Sequence, residues 1–135
     1  QFILQSRHPE HPLLQTLASG DYLRAARLML QERKDADLPP CHNLVMVRAE
    51  AQKASDASKF LREVARQINT ETIQVAGPLA AILQRRAGFW RYQLWLMSQS
   101  RTALSSETAR LTGVIEGMRA SRAVRWHIDV DPMEV

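Results

Sequence analysis

The chain has 135 residues, 45% of them hydrophobic and 24% charged, with a formal net charge of +4. This is globular composition sized for one domain, or one domain with a piece of another, and it argues against a disordered chain. No run of eighteen apolar residues could span a membrane; the single Cys41 excludes a disulfide framework, a four-thiolate zinc site and an iron–sulfur cluster; the five glycines at 20, 77, 88, 113 and 117 form no phosphate loop.

No initiating Met and no basic lead-in precede the apolar opening, so a piece of a longer protein without a secretory leader is expected. Phe2-Ile3-Leu4 reads as a short strand that ends before His8-Pro9. His11-Pro12 favours a helix start, and the pattern is helical from Leu13 to Ala18. Gly20 suits a C-terminal cap and Asp21 an N-cap. Tyr22, Ala25, Ala26, Met29 and Leu30 then recur at helical spacing to about Lys34. Leu38-Pro39-Pro40 ends that helix and marks the domain boundary. A lone strand with two helices buries little, so residues 1–38 read as the tail of a preceding domain and 39–135 as a domain of its own.

Residues 41–131 read as one complete unit. Cys41 to Glu50 alternates as a strand, with Val45, Val47 and Ala49 on one side and His42, Met46 and Arg48 on the other. Ser55-Asp56 caps a helix carrying Ala57, Phe60, Leu61, Val64 and Ile68. Ile73 to Ala76 is a second strand, closed by Gly77-Pro78, and Phe89 to Met97 a third. Ser100 caps a helix with Leu104, Thr108, Leu111, Ile115 and Met118 on one face. Val124, Trp126, Ile128 and Val130 alternate with Arg125, His127, Asp129 and Asp131 as a fourth strand. The order predicts an α+β fold: a ferredoxin-like βαββαβ sandwich with both helices on one sheet face and the first and third strands adjacent at its centre.

Charge is unevenly placed along these elements. Residues 80–126 hold eight Arg against two Glu, while the last nine residues hold three acids and no base. Fifteen of the eighteen basic residues are Arg, whose planar fork suits phosphate and carboxylate and stacks on bases. A nucleic acid or an acidic peptide is the natural partner, with a merely solvated basic face as the alternative. Arg85 and Arg86 fall in the expected turn between strands two and three. Along strand three, Trp90, Tyr92, Leu94 and Leu96 share the face expected under the helices. Phe89, Arg91, Gln93, Trp95 and Met97 share the other, with Arg48 and Arg125, as a platform for single-stranded bases and phosphates. Packing is the competing reading for those aromatics. Arg101 stands in the first turn after Ser100, where unpaired N–H groups favour an anion, unless it simply pairs with Glu107. His8 and His11 have no third ligand near, so no metal site is expected. Asp129 and Asp131 share a strand face with Arg125 and His127 as ready ion-pair partners, and no nucleophile accompanies them. Cys41 lacks an activating base and reads as a packing residue.

Phe2-Ile3-Leu4-Gln5 with His8-Pro9-Glu10-His11-Pro12-Leu13-Leu14-Gln15 resembles the end of the second helicase lobe in the bacterial primosomal protein N′ family of replication restart DNA helicases. Leu38-Pro39-Pro40, the strand Val45-Met46-Val47-Arg48-Ala49-Glu50, the block Arg85-Arg86 through Phe89-Trp90-Arg91-Tyr92-Gln93 and the ending Asp129-Val130-Asp131-Pro132 look like that family's C-terminal domain. The residue after Pro39-Pro40 is usually aromatic in the family; here it is Cys41. The resemblance implies residues 1–38 as the end of lobe 2 with connecting helices, and 39–135 as a ribosomal-protein-like domain binding DNA and partners. It implies a bacterial cytoplasmic, nucleoid-associated parent, a 3′→5′ helicase driven by ATP. The parent's phosphate loop, acidic ATPase motif and zinc cysteines would lie upstream, leaving this piece non-enzymatic, without ATP, Mg²⁺ or zinc. Implied partners are forked and single-stranded DNA, the upstream helicase lobes and other primosome proteins. A further one is the acidic, aromatic-ended tail of single-stranded DNA-binding protein, with its carboxylate on Arg101 and Ser105 standing where the family has glutamine. A stand-alone ribosomal or RNA-binding protein of the same fold, and a structural lid on the helicase core, are the alternatives.

Overall fold

A computed structural model describes residues 3–69 and 71–133. The chain divides into two compact units, Gln1–Cys41 and His42–Val135. In the first, helix α1 (Pro12–Ala18) begins on a proline, and His11 Nδ1 accepts from the Leu13 N–H at 3.3 Å. Helix α2 (Tyr22–Asp35) is capped by Asp21, which accepts from the Arg24 N–H at 3.0 Å. Ile3 and Leu4 form no strand: both are exposed and pair with nothing among the described residues, because an isolated strand has no neighbour for its backbone groups. Phe2 lies outside the described residues. Of the expected α2 stripe only Ala25 is buried, while Tyr22, Met29 and Leu30 are exposed.

The second unit runs β1 (Asn43–Ala51), α3 (Ala54–Ala65), β2 (Gln74–Arg86), β3 (Phe89–Ser98), α4 (Arg101–Gly117), a 3₁₀ turn (Arg119–Arg122) and β4 (Arg125–Val130). It is an α+β unit around one antiparallel sheet of order β2-β3-β1-β4. Val45, Val47 and Ala49 of β1 and Leu94 and Leu96 of β3 form one buried cluster with Phe60, Leu61 and Val64 of α3 and Leu104, Leu111 and Ile115 of α4. Both helices therefore cover the same sheet face. Each fully buried Leu, Ile or Phe there contributes about 1.5–3 kcal/mol. Tyr92, Trp126 and Ile128 pack at the edge of the cluster, as their alternation requires.

The helix starts divide. Ser100 caps α4 as expected, its hydroxyl accepting from the Ala103 N–H at 3.2 Å. Helix α3 instead starts after Lys53, without a side-chain cap. The Ser55 hydroxyl donates to Asp56 rather than serving the backbone, and Asp56 sits in the first turn, where the helix dipole favours a carboxylate.

The second strand departs most from expectation. It does not close at Gly77-Pro78 but runs on to Arg86. Proline is tolerated because β2 is an edge strand and Pro78 falls at the register shift between Ala76 and Leu79, where no ladder bond is required. Gly77 has φ +121°, and a Cβ there would lie 2.9 Å from the Gln93 carbonyl oxygen. Beyond Arg86 the hairpin turns on Ala87 (φ 49°) and Gly88 (φ 82°), the two left-handed residues that suit the right-handed strand twist.

Candidate functional site

The start of α4 is held by a set of short bonds. Asn43 Nδ2 donates to the Ser98 and Gln99 carbonyls at 3.1 and 3.2 Å. The Ser98 hydroxyl donates to the Thr72 carbonyl at 2.9 Å and accepts from the Ser100 N–H at 3.1 Å. This anchors the β3–α4 turn against β1 and fixes where Arg101 emerges. Beside it, between α4, β1 and β4, opens a pocket of about 290 Å³ lined by Asn43, Val45, Arg101, Leu104, Ser105, Thr108, Ala109, Val130 and Asp131. Its wall is mostly apolar, and the Thr108 hydroxyl is engaged by the Leu104 carbonyl at 2.7 Å. The Arg101 guanidinium stands at the rim, 74% exposed. An apolar slot with one guanidinium at its edge suits an acidic chain end carrying an apolar side chain.

Arg101 and Ser105 thus line one cavity, one helical turn apart. Arg101 does not pair with Glu107: its Nη2 donates to Asp131 Oδ2 at 2.8 Å, while Glu107 is bound by Arg110. Asp131 also leaves the face it was expected to share with Asp129. It lies past the end of β4 with φ 51°, its N–H on the Leu44 carbonyl at 3.1 Å. Asp129 pairs with Arg48 across the sheet at 3.0 Å rather than with Arg125 or His127. Arg48 lies opposite His127 in the register and reaches Asp129 on the diagonal, a separation its long side chain spans.

The residues expected to form a nucleic-acid platform divide. Arg85 and Arg86 lie on β2 rather than in the turn, opposite Trp90 and Phe89, and therefore project to opposite faces of the hairpin. Both are exposed. The Arg85 guanidinium carbon lies 5.5 Å from the Trp90 ring centroid, and that of Arg125 lies 4.3 Å from the Phe89 centroid, so each ring already carries a cation. Phe89 is half-buried. Arg91 Nε donates to Glu50 Oε1 at 2.9 Å, its side chain 20% exposed. Trp95 is half-buried opposite Met46, its indole N–H buried and without a hydrogen-bond partner among the described residues. The sheet face away from the helices is not an open platform: Leu44 and Met46 on it are fully buried, and Gln93 is 6% exposed. Positive charge is retained instead at the sheet end, where Lys53, Arg122 and Arg125 line a 400 Å³ hollow with Phe89, Glu50 and Asp56.

Sequence reading missed Val130 and Asp131 as pocket residues, and Lys53 and Arg122 at the basic end. Thr108, expected only on the packed face of α4, was missed there too, although Arg101, Leu104 and Thr108 recur at helical spacing. The others carry no local signal; strand pairing and the 3₁₀ turn bring them in.

Residues 34–133 match the family model described as the primosomal protein N C-terminal domain. The whole chain aligns with proteins named replication restart protein PriA. It is 30% identical to that of Haemophilus influenzae, covering 100% of this chain and 19% of that protein. The Synechocystis sp. relative is 25% identical, covering 100% and 16%, and that of Treponema pallidum 27% identical, covering 98% and 20%. The chain thus spans a fifth or less of the length of these relatives. With the matched residues taking in the sheet, both helices packed on it and the pocket beside Arg101, the chain belongs to the primosomal protein N C-terminal domain family.

Proposed function

We propose that this chain is the non-catalytic C-terminal part of an ATP-dependent 3′→5′ replication restart helicase, which binds DNA at stalled forks and docks single-stranded DNA-binding protein. The observation that carries the docking half is the 290 Å³ apolar pocket with the Arg101 guanidinium at its rim. The acidic tail of single-stranded DNA-binding protein would set its terminal carboxylate on Arg101 and its aromatic end against Val45, Leu104 and Val130. Ser105, shorter than glutamine, would leave one fewer hydrogen bond to the peptide. DNA would lie along the β2–β3 hairpin, with Arg85 and Arg86 on phosphates and Lys53, Arg122 and Arg125 extending the basic end. Arg91 and Trp95, engaged or half-buried, would add little. The strand order β2-β3-β1-β4 with two helices on one face supports a ferredoxin-like, ribosomal-protein-like assignment. Residues 1–38 would close helicase lobe 2. Other primosome proteins and a cytoplasmic, nucleoid-associated setting belong to the same reading. ATP, Mg²⁺ and zinc are assigned to upstream parts of the parent; among the described residues no group of three or more His, Cys, Asp or Glu side chains could hold a metal ion.

The test titrates a short acidic peptide ending in phenylalanine against the full chain and Arg101→Ala. Losing a charged hydrogen-bonded contact at an exposed rim weakens binding by about 1–2 kcal/mol, roughly 5- to 30-fold. Equal affinity for both proteins, or for a peptide with an amidated end, would place the site elsewhere.

A further inference from the structure

The Arg101 guanidinium is not waiting empty. Its Nη2 donates to Asp131 Oδ2 at 2.8 Å, and both residues line the pocket rim. We propose that Asp131 is an internal competitor of the carboxylate-bearing ligand: it occupies the arginine in the free protein and must be displaced for an acidic chain end to bind. This rests on the docking reading of the pocket.

Three features of the contact support it. The hydrogen bond between the two side chains uses one guanidinium nitrogen, whereas an incoming carboxylate can engage the fork through two parallel N–H bonds. Both partners are exposed, Arg101 at 74% and Asp131 at 51%, so the pair is weak enough to open. Asp131 is also held in place by its backbone: φ is 51° and its N–H donates to the Leu44 carbonyl at 3.1 Å. The carboxylate therefore stays beside the pocket even when displaced, and repels an acidic ligand. Displacement and repulsion act in the same direction, raising the threshold for weakly acidic chain ends and favouring those that grip Arg101 with both oxygens.

Asp131→Asn tests this cleanly, since asparagine tolerates a left-handed φ at least as well as aspartate and only the charge is removed. The same phenylalanine-ended acidic peptide is titrated against the full chain, D131N, R101A and the double variant. D131N is expected to bind about two- to fivefold more tightly than the unsubstituted chain at low salt, the range of an exposed ion pair. The gap should narrow in roughly 0.5 M salt and largely vanish in the R101A background. Unchanged or weaker binding by D131N, with binding still dependent on Arg101, overturns the competitor and leaves the docking reading standing. A gain that persists undiminished in R101A also overturns it, reducing Asp131 to a general charge effect. Binding indifferent to Arg101 and to amidation of the peptide removes the docking reading itself.

Discussion

Replacing Glu107 tests how α4 is tied to the segment that follows α3. Its side chain is 10% exposed and accepts from three donors. Asn69 N–H reaches Oε1 at 3.0 Å, Arg110 Nη2 reaches Oε1 at 2.6 Å, and Arg110 Nε reaches Oε2 at 2.9 Å. Arg110 also donates to the Gln67 carbonyl, so the one carboxylate organises both ends of the tie. Arg110 is 47% exposed, which limits the ion pair to about 0.5–1 kcal/mol. The Asn69 N–H, on an exposed residue, would bond to water instead, and the lost hydrogen bond adds about 1 kcal/mol. Glu107→Ala should therefore cost about 1.5–2 kcal/mol at pH 7, or roughly 6–15 °C in Tm for a unit of this size. Trp90, Trp95 and Trp126 all lie in the His42–Val135 unit, so tryptophan fluorescence during urea or thermal unfolding reads that unit alone. The pH dependence has a definite sign. Hydrogen bonding from Arg110, helped by the Asn69 N–H and against the opposing effect of burial, holds the Glu107 carboxyl below its ordinary value of 4.5. Stability from that charge is complete above the ordinary value and is lost as pH falls through the lowered one. The difference between the unsubstituted chain and Glu107→Gln should stay constant from about pH 7 to 5 and shrink below 4.5. A difference that is absent at pH 7, or that grows on acidification, would show that the Glu107 carboxylate does not tie α4 to Asn69.

Gly77→Ala should destabilise by about 1–3 kcal/mol, because its Cβ would meet the Gln93 and Leu79 backbone at 2.9 and 3.0 Å with φ at +121°, whereas Gly113→Ala on the exposed side of α4, with nothing within 4 Å, should gain about 0.5–1 kcal/mol; the two melting temperatures moving the same way would contradict this. Arg85→Ala with Arg86→Ala should weaken binding of unrelated DNA sequences alike and flatten the log–log salt slope by about two units, each single variant accounting for about one although the two side chains sit on opposite hairpin faces; an unchanged slope counts against DNA contact by the hairpin. Limited proteolysis should cut near Leu38 to Pro40 and leave a resistant fragment beginning near His42, and early cleavage within Ala54–Ala65 or Arg101–Gly117 would count against separate folding of the second unit.

Part of what depends on a few consecutive residues was readable without the fold, although the expected Ser55-Asp56 cap was not formed. Asp21 and Ser100 mark helix starts because a cap bonds a backbone N–H within three residues of itself. Trp126 and Ile128 sit on the helix-covered face because strand alternation has a period of two. Arg101 and Ser105 share a pocket wall because helical neighbours recur every three to four residues. The expected ends of elements were less secure: the Gly77-Pro78 stop failed because an edge strand with a register shift can absorb both residues. Charge was the least readable property. The sequence suggests an open sheet face carrying Arg48, Arg91 and Arg125, but register sets Glu50 beside Arg91 and brings Asp129 within 3.0 Å of Arg48, neutralising two of the three. Those partners stand 41 and 81 positions apart along the chain, and no local pattern encodes which of them meet. The same pairing closes the pocket, since only the β1–β4 ladder carries Val130 and Asp131 to the start of α4. Short-range bonding determined where α2 and α4 start and which residues alternate along the strands, while the packing of distant strands decided how far β2 extends and which charges remain free to meet a partner.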